Sequence, residues 1–106
     1  MSDYLVNLLT NRKTYTARIN VMKKHPHLFT DADEFEQMMQ IERDLAILDF
    51  CIEQLEPLPR DIIDQIYKRS ISTRQYARAR NMSKSVIHNK KLVALRELRA
   101  IFRPEG

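Results

Sequence analysis

The residues of this chain with the clearest chemistry lie near the start of a predicted C-terminal helix. Ser83 can accept an amide hydrogen bond at a helix start. Four polar residues follow it on the first exposed turns: Lys84, Ser85, His88 and Asn89. A lysine ammonium can donate to the acceptors of guanine, and an asparagine amide can pair doubly with adenine. Their types and spacing predict base reading in the major groove of double-stranded DNA.

Basic side chains accompany these polar residues. Nine lysines and arginines fall within residues 72–103, against one acidic residue, Glu97. Such an excess is typical of a surface that binds nucleic acid, because cations neutralise phosphates and set affinity without reading sequence. Ordinary solvated charge, or pairing with the acidic middle of the chain, is the alternative. The residues predicted to contact phosphates are Arg74, Arg78, Arg80, Ser83, Lys90 and Lys91.

Two helices joined by a tight turn would position these residues. The first begins at Ser72 or Thr73 and ends near Asn81, a residue type that tolerates the left-handed backbone of a helix end. Ser83 is the expected N-cap of the second helix, a role that we favour over phosphate binding. The pattern predicts a helix-turn-helix. Its expected core residues are Tyr76, Ala77, Met82, Ile87, Ala94, Leu95 and Leu98.

The composition favours helix throughout. The 106 residues include one glycine and four prolines, too few for many tight turns or β-hairpins. The single cysteine, Cys51, excludes an intramolecular disulfide, and the sequence contains neither a leader-like hydrophobic run nor a span of about 20 apolar residues. We therefore expect an all-α, cytoplasmic protein with no membrane contact.

The N-terminal half predicts two long helices. Helix A covers about residues 3–24, and Pro26 ends it. Helix B follows Thr30 and runs to about Leu55, with its acidic residues on a solvated face. A heptad pattern in helix B predicts a seam that packs on helix A within one chain, joins two protomers, or does both. The seam consists of Met38, Ile41, Leu45, Leu48, Ile52 and Leu55.

Charge and proline divide the chain into two parts of one compact unit. Residues 1–29 carry five basic and one acidic side chains, residues 30–56 one basic and nine acidic, and residues 57–106 twelve basic and four acidic. We predict a packing and oligomerisation hairpin over residues 1–56 and a DNA-binding part after it. A short helix C, at about residues 59–68, supports the DNA-binding part.

An ordered set of residues in the second half carries a family resemblance. Its members are Leu58, Pro59, Ile62, Ile63, Tyr67, Tyr76, Ala77, Asn81, Met82, Ser83, Ile87 and residues 94–99. The set resembles region four of bacterial sigma factors, and the whole chain is similar to the small phage late-gene transcription regulators of the RinA and ArpU type. Asn81 stands where that family usually has glycine, and Arg80 and Lys90 stand where apolar residues usually enter the core.

The resemblance implies a helical hairpin followed by a three-helix, sigma-region-four-like helix-turn-helix. It also implies a phage-encoded, sequence-specific transcription regulator in the cytoplasm of a bacterial host. Its expected partners are double-stranded DNA, a second copy of the chain and, as a further candidate, RNA polymerase. Two alternatives stay open, namely a protein-interaction module that docks on RNA polymerase or another regulator, and a small DNA-packaging (terminase) subunit.

Metal and enzymatic chemistry are not predicted. His25 and His27 form the only close pair of candidate ligands, and neither His88 nor Cys51 supplies a second pair at zinc spacing. The sequence has no glycine-rich phosphate loop and no notable Ser/His/Asp ordering. We therefore expect no metal, no cofactor and no enzymatic activity.

Overall fold

The structure, a computed structural model, describes residues 3–104. About 80% of this range is helical and it contains no strand, so the predicted all-α class is confirmed. A 3-10 turn at Pro26–Leu28 follows α2, and a π-helical turn at Asp64–Lys68 extends α4. None of the described helices combines the length and apolar character needed to span a membrane. The six α-helices are α1 (Tyr4–Thr10), α2 (Arg12–Lys24), α3 (Ala32–Glu53), α4 (Pro57–Ile63), α5 (Thr73–Ala79) and α6 (Lys84–Ile101).

The described chain forms two compact units. The first holds residues 3–48 together with residues 103–104, and the second is Asp49–Phe102. The boundary lies inside α3, ahead of the division after residue 56 that the sequence suggested. The assignment of packing to one part and DNA binding to the other stays a prediction.

The helix predicted over residues 3–24 is divided at Asn11, so the first of the two expected long helices is instead two shorter ones. The backbone of Asn11 departs from helical geometry, with φ −103° and ψ 15°. Its Nδ2 donates to the carbonyl oxygen of Asn7 at 3.2 Å and to the Oδ1 of Asn7 at 2.5 Å. Asparagine side chains compete in this way with the helical hydrogen-bond pattern. The single long helix was predicted from the spacing of apolar residues, which carries no information on side-chain hydrogen bonds of this kind.

The first unit buries one carboxylate of α3 that the sequence placed on a solvated face. Asp44 is fully buried. It accepts a 2.5 Å hydrogen bond from the hydroxyl of Tyr4 and a 3.1 Å hydrogen bond from Nε2 of Gln40. Burial of the Tyr4 hydroxyl, reinforced by Asp44, raises the pKa of Tyr4. The prediction is wrong for Asp44 because protein donors replace water at its oxygens.

Ion pairs add contacts between α2 and α3 in the same unit. Arg18 pairs with Glu34, and Lys23 pairs with Glu42. The Arg18 guanidinium also lies 5.7 Å from the centroid of the Phe29 ring. All of these groups are partly exposed, so they orient the two helices more than they stabilise them.

The heptad stripe of helix B is buried within the single chain. Phe50, by contrast, is 65% exposed on α3. A homodimer would therefore need a surface other than the seam, and the dimer stays a prediction. The seam residues, each at most 7% exposed, are Met38, Ile41, Leu45, Leu48, Ile52 and Leu55.

The predicted helix C corresponds to α4 and the π-helical turn together. α4 begins at Pro57, where the missing N–H of proline would have no helical partner in any case. At its far end the N–H of Arg69 donates to the carbonyl oxygen of Asp64 at 3.1 Å, a five-residue spacing that widens the last turn. Ser70 then adopts a left-handed φ of 57°, which ends the helix.

A small apolar core connects the three helices of the second unit that follow α3. Ile62 of α4, Tyr76 and Ala77 of α5, and Ile87 of α6 are all buried in it. Burying one large apolar side chain is worth about 1.5–3 kcal/mol, so each of these residues contributes to holding the short helices together. Partly buried around this core lie Leu58, Ile66, Ile71 and Met82.

Candidate nucleic-acid interface

The start of α5 is capped by its own sequence. The N–H of Gln75 donates to the Oγ of Ser72 at 3.0 Å, and the N–H of Ser72 donates to the Oε1 of Gln75 at 3.0 Å. This reciprocal capping box satisfies two amides that the first turn would otherwise leave without partners. Of the two caps that the sequence allowed, Ser72 and Thr73, the structure uses Ser72.

The turn between α5 and α6 has the predicted left-handed residue. Asn81 has a φ of 55°, which asparagine adopts more readily than most residues. The N–H of Met82 then donates to the carbonyl oxygen of Ala77 at 2.9 Å and closes the end of α5. Met82 is half-buried against the small apolar core, so the turn is held from inside as well as by its backbone.

α6 begins at the serine that the sequence identified. The Oγ of Ser83 accepts a 3.1 Å hydrogen bond from the N–H of Val86, which confirms Ser83 as the N-cap. Its contact with a phosphate stays a prediction. The predicted apolar stripe of α6 is also confirmed, because four residues are buried along one side: Ile87, Ala94, Leu95 and Leu98.

The four predicted base-reading residues are exposed together on α6. Lys84 and Ser85 lie on its first turn, and His88 and Asn89 lie on the next. All four line one open depression on the surface. The cap at Ser83 starts the helix immediately before them. Ser85, His88 and Asn89 fall outside the arc of the buried stripe, whereas Lys84 falls within it and is exposed on the first turn.

Four of the predicted phosphate contacts fall into two groups. Arg74 and Arg78 are exposed on α5, four residues apart and so on one side of the helix. Lys90 and Lys91 of α6 are only half-exposed. Lys90 follows His88 by two residues, which places the two on opposite sides of the helix. The aliphatic stem of Lys90 therefore lies closer to the core than to the depression. This agrees with the resemblance to sigma region four, in which the corresponding position is usually apolar.

The remaining predicted phosphate contact, Arg80, is engaged by an acid of α4. Its Nη2 lies 2.6 Å from the Oδ2 of Asp61, and the hydroxyl of Tyr76 donates to the same oxygen at 2.6 Å. The Arg80 guanidinium also lies 5.4 Å from the centroid of the Tyr76 ring. Arg80 thus joins α5 to α4, and a phosphate would have to share it with Asp61.

The contacts among Asp61, Tyr76 and Arg80 shift the pKa of each group. The hydrogen bond from Tyr76, helped by Arg80, holds the pKa of Asp61 below its ordinary value. Burial and the hydrogen bond to Asp61 raise the pKa of Tyr76 to about 12. Sequence reasoning missed Asp61. The available signal was Arg80 itself, since a cation at a usually apolar position calls for an acidic partner.

The candidate metal ligands are not assembled in the described part of the chain. The rings of His25 and His27 meet edge to face, with centroids 5.9 Å apart. Within residues 3–104 no three His, Cys, Asp or Glu side chains are grouped so that they could hold a metal ion.

Comparisons with known proteins add no relative: no family model, curated protein or solved structure matches this chain. The likeness to sigma region four therefore stays a resemblance carried by the residues themselves.

Proposed function

We propose that this chain is a sequence-specific transcription regulator that binds double-stranded DNA with α6 in the major groove. The observation that carries the proposal is the joint exposure of Lys84, Ser85, His88 and Asn89 at the N-terminal end of α6. In helix-turn-helix proteins, residues at this end of the second helix meet base edges. α4, α5 and α6 would then act as a helix-turn-helix of the sigma-region-four kind.

The exposed side chains suit this role chemically. Lys84 would donate to O6 or N7 of guanine, and Asn89 would pair with N6 and N7 of adenine. Ser85 and His88 can each donate or accept a hydrogen bond at neighbouring bases. Arg78 on α5 would neutralise a phosphate and so contribute affinity without sequence preference.

We extend the proposal to a phage-encoded homodimer that acts in the cytoplasm of a bacterial host. One α6 would read only a few base pairs, whereas two copies would read two half-sites about one turn of DNA apart. Because the seam residues of α3 are buried within one chain, the two copies would pair through another surface. RNA polymerase is a further candidate partner.

The test is a selection of duplexes from a random-sequence library with the whole chain. Enriched and random duplexes are then titrated at about 50 and 200 mM salt, and the mass of the complex is measured by light scattering. We expect a common enriched sequence, tight binding that weakens steeply with salt because counterions are released, and a mass of two chains per duplex.

Three outcomes would count against the proposal in different ways. A library that yields no common sequence would overturn sequence-specific binding. Binding that arises only after bacterial RNA polymerase is added would favour the protein-interaction alternative. A ring-sized assembly in light scattering would instead favour the DNA-packaging subunit.

A further inference from the structure

Leu92 is an exposed apolar residue on the polar side of α6. Its side chain is 45% exposed. It follows His88 by four residues and Ser85 by seven, spacings that keep residues on one side of a helix. At about 100° per residue, the predicted base readers from Lys84 to Asn89 span about 140°, and Leu92 lies close to the middle of that arc. Leu92 therefore continues the base-reading side into a third turn.

The position along the helix is compatible with contact in the groove. The rise of an α-helix places Leu92 about 6 Å beyond His88 and about 12 Å beyond Lys84. The major groove is also about 12 Å wide and admits an α-helix. A helix that lies along the groove with its first two turns on base edges would therefore bring its third turn to bases further along the site, since base pairs are about 3.4 Å apart.

The chemistry of the groove restricts what an apolar side chain can recognise there. The other groups that distinguish the bases in the major groove are hydrogen-bond donors and acceptors, whereas thymine presents a 5-methyl group. A leucine placed against a donor or acceptor would remove water from it without supplying a hydrogen bond, which is unfavourable. A leucine in contact with the methyl group instead buries apolar surface of both groups, which is favourable.

We infer that Leu92 is a specificity-determining residue that selects thymine by contact with its 5-methyl group, an inference that rests on the proposed DNA binding by α6. Ile101 on the same helix is exposed to the same extent, 45%. It follows Leu92 by nine residues, which places it about 180° around the helix, on the side opposite the base readers. Ile101 is therefore a matched control for the loss of an exposed apolar side chain from the same helix.

The experiment removes one methyl group at a time from the DNA. In the duplex enriched from the random library, each thymine is replaced singly by deoxyuridine, which leaves every hydrogen-bonding group unchanged. Affinities are measured for the wild-type chain and for the variants Leu92→Ala, Leu92→Met and Ile101→Ala. Circular dichroism establishes that each variant is folded.

We expect one thymine at which loss of the methyl group weakens wild-type binding about fourfold, the effect of one buried carbon. The same replacement should leave the affinity of Leu92→Ala unchanged. Leu92→Met, which keeps an apolar side chain, and Ile101→Ala should both retain the wild-type response.

The outcomes separate the inference from the proposed function. If a sequence is enriched but no deoxyuridine replacement distinguishes wild type from Leu92→Ala, the inference fails while DNA binding by the chain stands. An equal loss of the methyl response in Ile101→Ala would also overturn it, because the effect would not belong to Leu92. If the library yields no common sequence, the proposed function fails and the inference fails with it.

Discussion

The hydroxyl of Tyr76 donates a 2.6 Å hydrogen bond to the carboxylate of Asp61, fifteen residues earlier in the chain. This bond joins α5 to α4, and Arg80 reinforces it from the end of α5. The proposed recognition helix α6 follows α5 after a short turn, so its orientation depends on this attachment.

Removing the carboxylate should destabilise the second unit. We expect Asp61→Ala to lower the free energy of unfolding by about 1–3 kcal/mol, because Tyr76 and Arg80 both lose a charged partner. Tyr76→Phe, which removes one hydrogen bond, should cost about 1 kcal/mol. Urea unfolding followed by circular dichroism measures both. Glu97→Ala, an exposed acid on α6, is the control, and an Asp61→Ala variant as stable as this control would contradict the prediction.

The contribution of Asp61 should depend on pH in one direction. Its pKa in the folded chain is below the ordinary value of 3.8, so the unfolded chain binds its proton first as the pH falls. The stabilisation is therefore complete above about pH 5 and is lost as the pH falls through the lowered pKa. Unfolding of the wild type and of Asp61→Asn at pH 7, 5 and 3 tests this. The difference between their free energies of unfolding should persist at pH 5 and shrink at pH 3. A difference that grows at pH 3 would contradict the predicted direction of the pH dependence.

The cap of α6 should matter for stability, whereas the neighbouring serine should not. Ser83 accepts the N–H of Val86, so Ser83→Ala should cost about 1 kcal/mol of unfolding free energy. Ser85→Ala, on the exposed side of the same turn, should change stability by less than about 0.5 kcal/mol. Equal stability of the two variants in thermal or urea unfolding would show that the cap contributes little.

The left-handed turn residue should respond to glycine and alanine in opposite ways. With a φ of 55° at Asn81, Asn81→Ala should destabilise the chain by about 1 kcal/mol, since a β-carbon without a polar group is disfavoured there. Asn81→Gly, the residue usual in the sigma-like family, should be neutral or slightly stabilising. The pair is compared by urea unfolding, and a less stable glycine variant would contradict the assignment.

Base readers and phosphate contacts should differ in their effect on DNA binding. We expect Lys84→Ala or Asn89→Ala to cost about 1–3 kcal/mol on the enriched sequence and to lose the preference at one base pair each. Arg78→Ala should weaken enriched and random duplexes alike and reduce the slope of log affinity against log salt by about 1. Titrations of both duplexes at several salt concentrations measure these effects. If Lys84 and Asn89 affected both duplexes equally, the assigned base-reading side would be wrong.

The sequence by itself determined the local features of α5 and α6. The caps at Ser72 and Ser83 and the left-handed Asn81 were predictable because each depends on contacts within three or four residues. The buried stripe of α6 follows from helical periodicity for the same reason. Asn89 lies outside the stripe, so its exposure follows from the same period. Lys84 falls within the angular range of the stripe, between Leu98 and Leu95, and is nevertheless exposed on the first turn of α6.

Only the tertiary structure decided the features that depend on distant partners. Asp61 pairs with Tyr76 and Arg80, and the buried Asp44 accepts a hydrogen bond from Tyr4. These contacts join residues 15 to 40 positions apart, which no helical period encodes. The division of the first helix at Asn11 is accompanied by hydrogen bonds from the Asn11 side chain to Asn7, which hydrophobic spacing does not register.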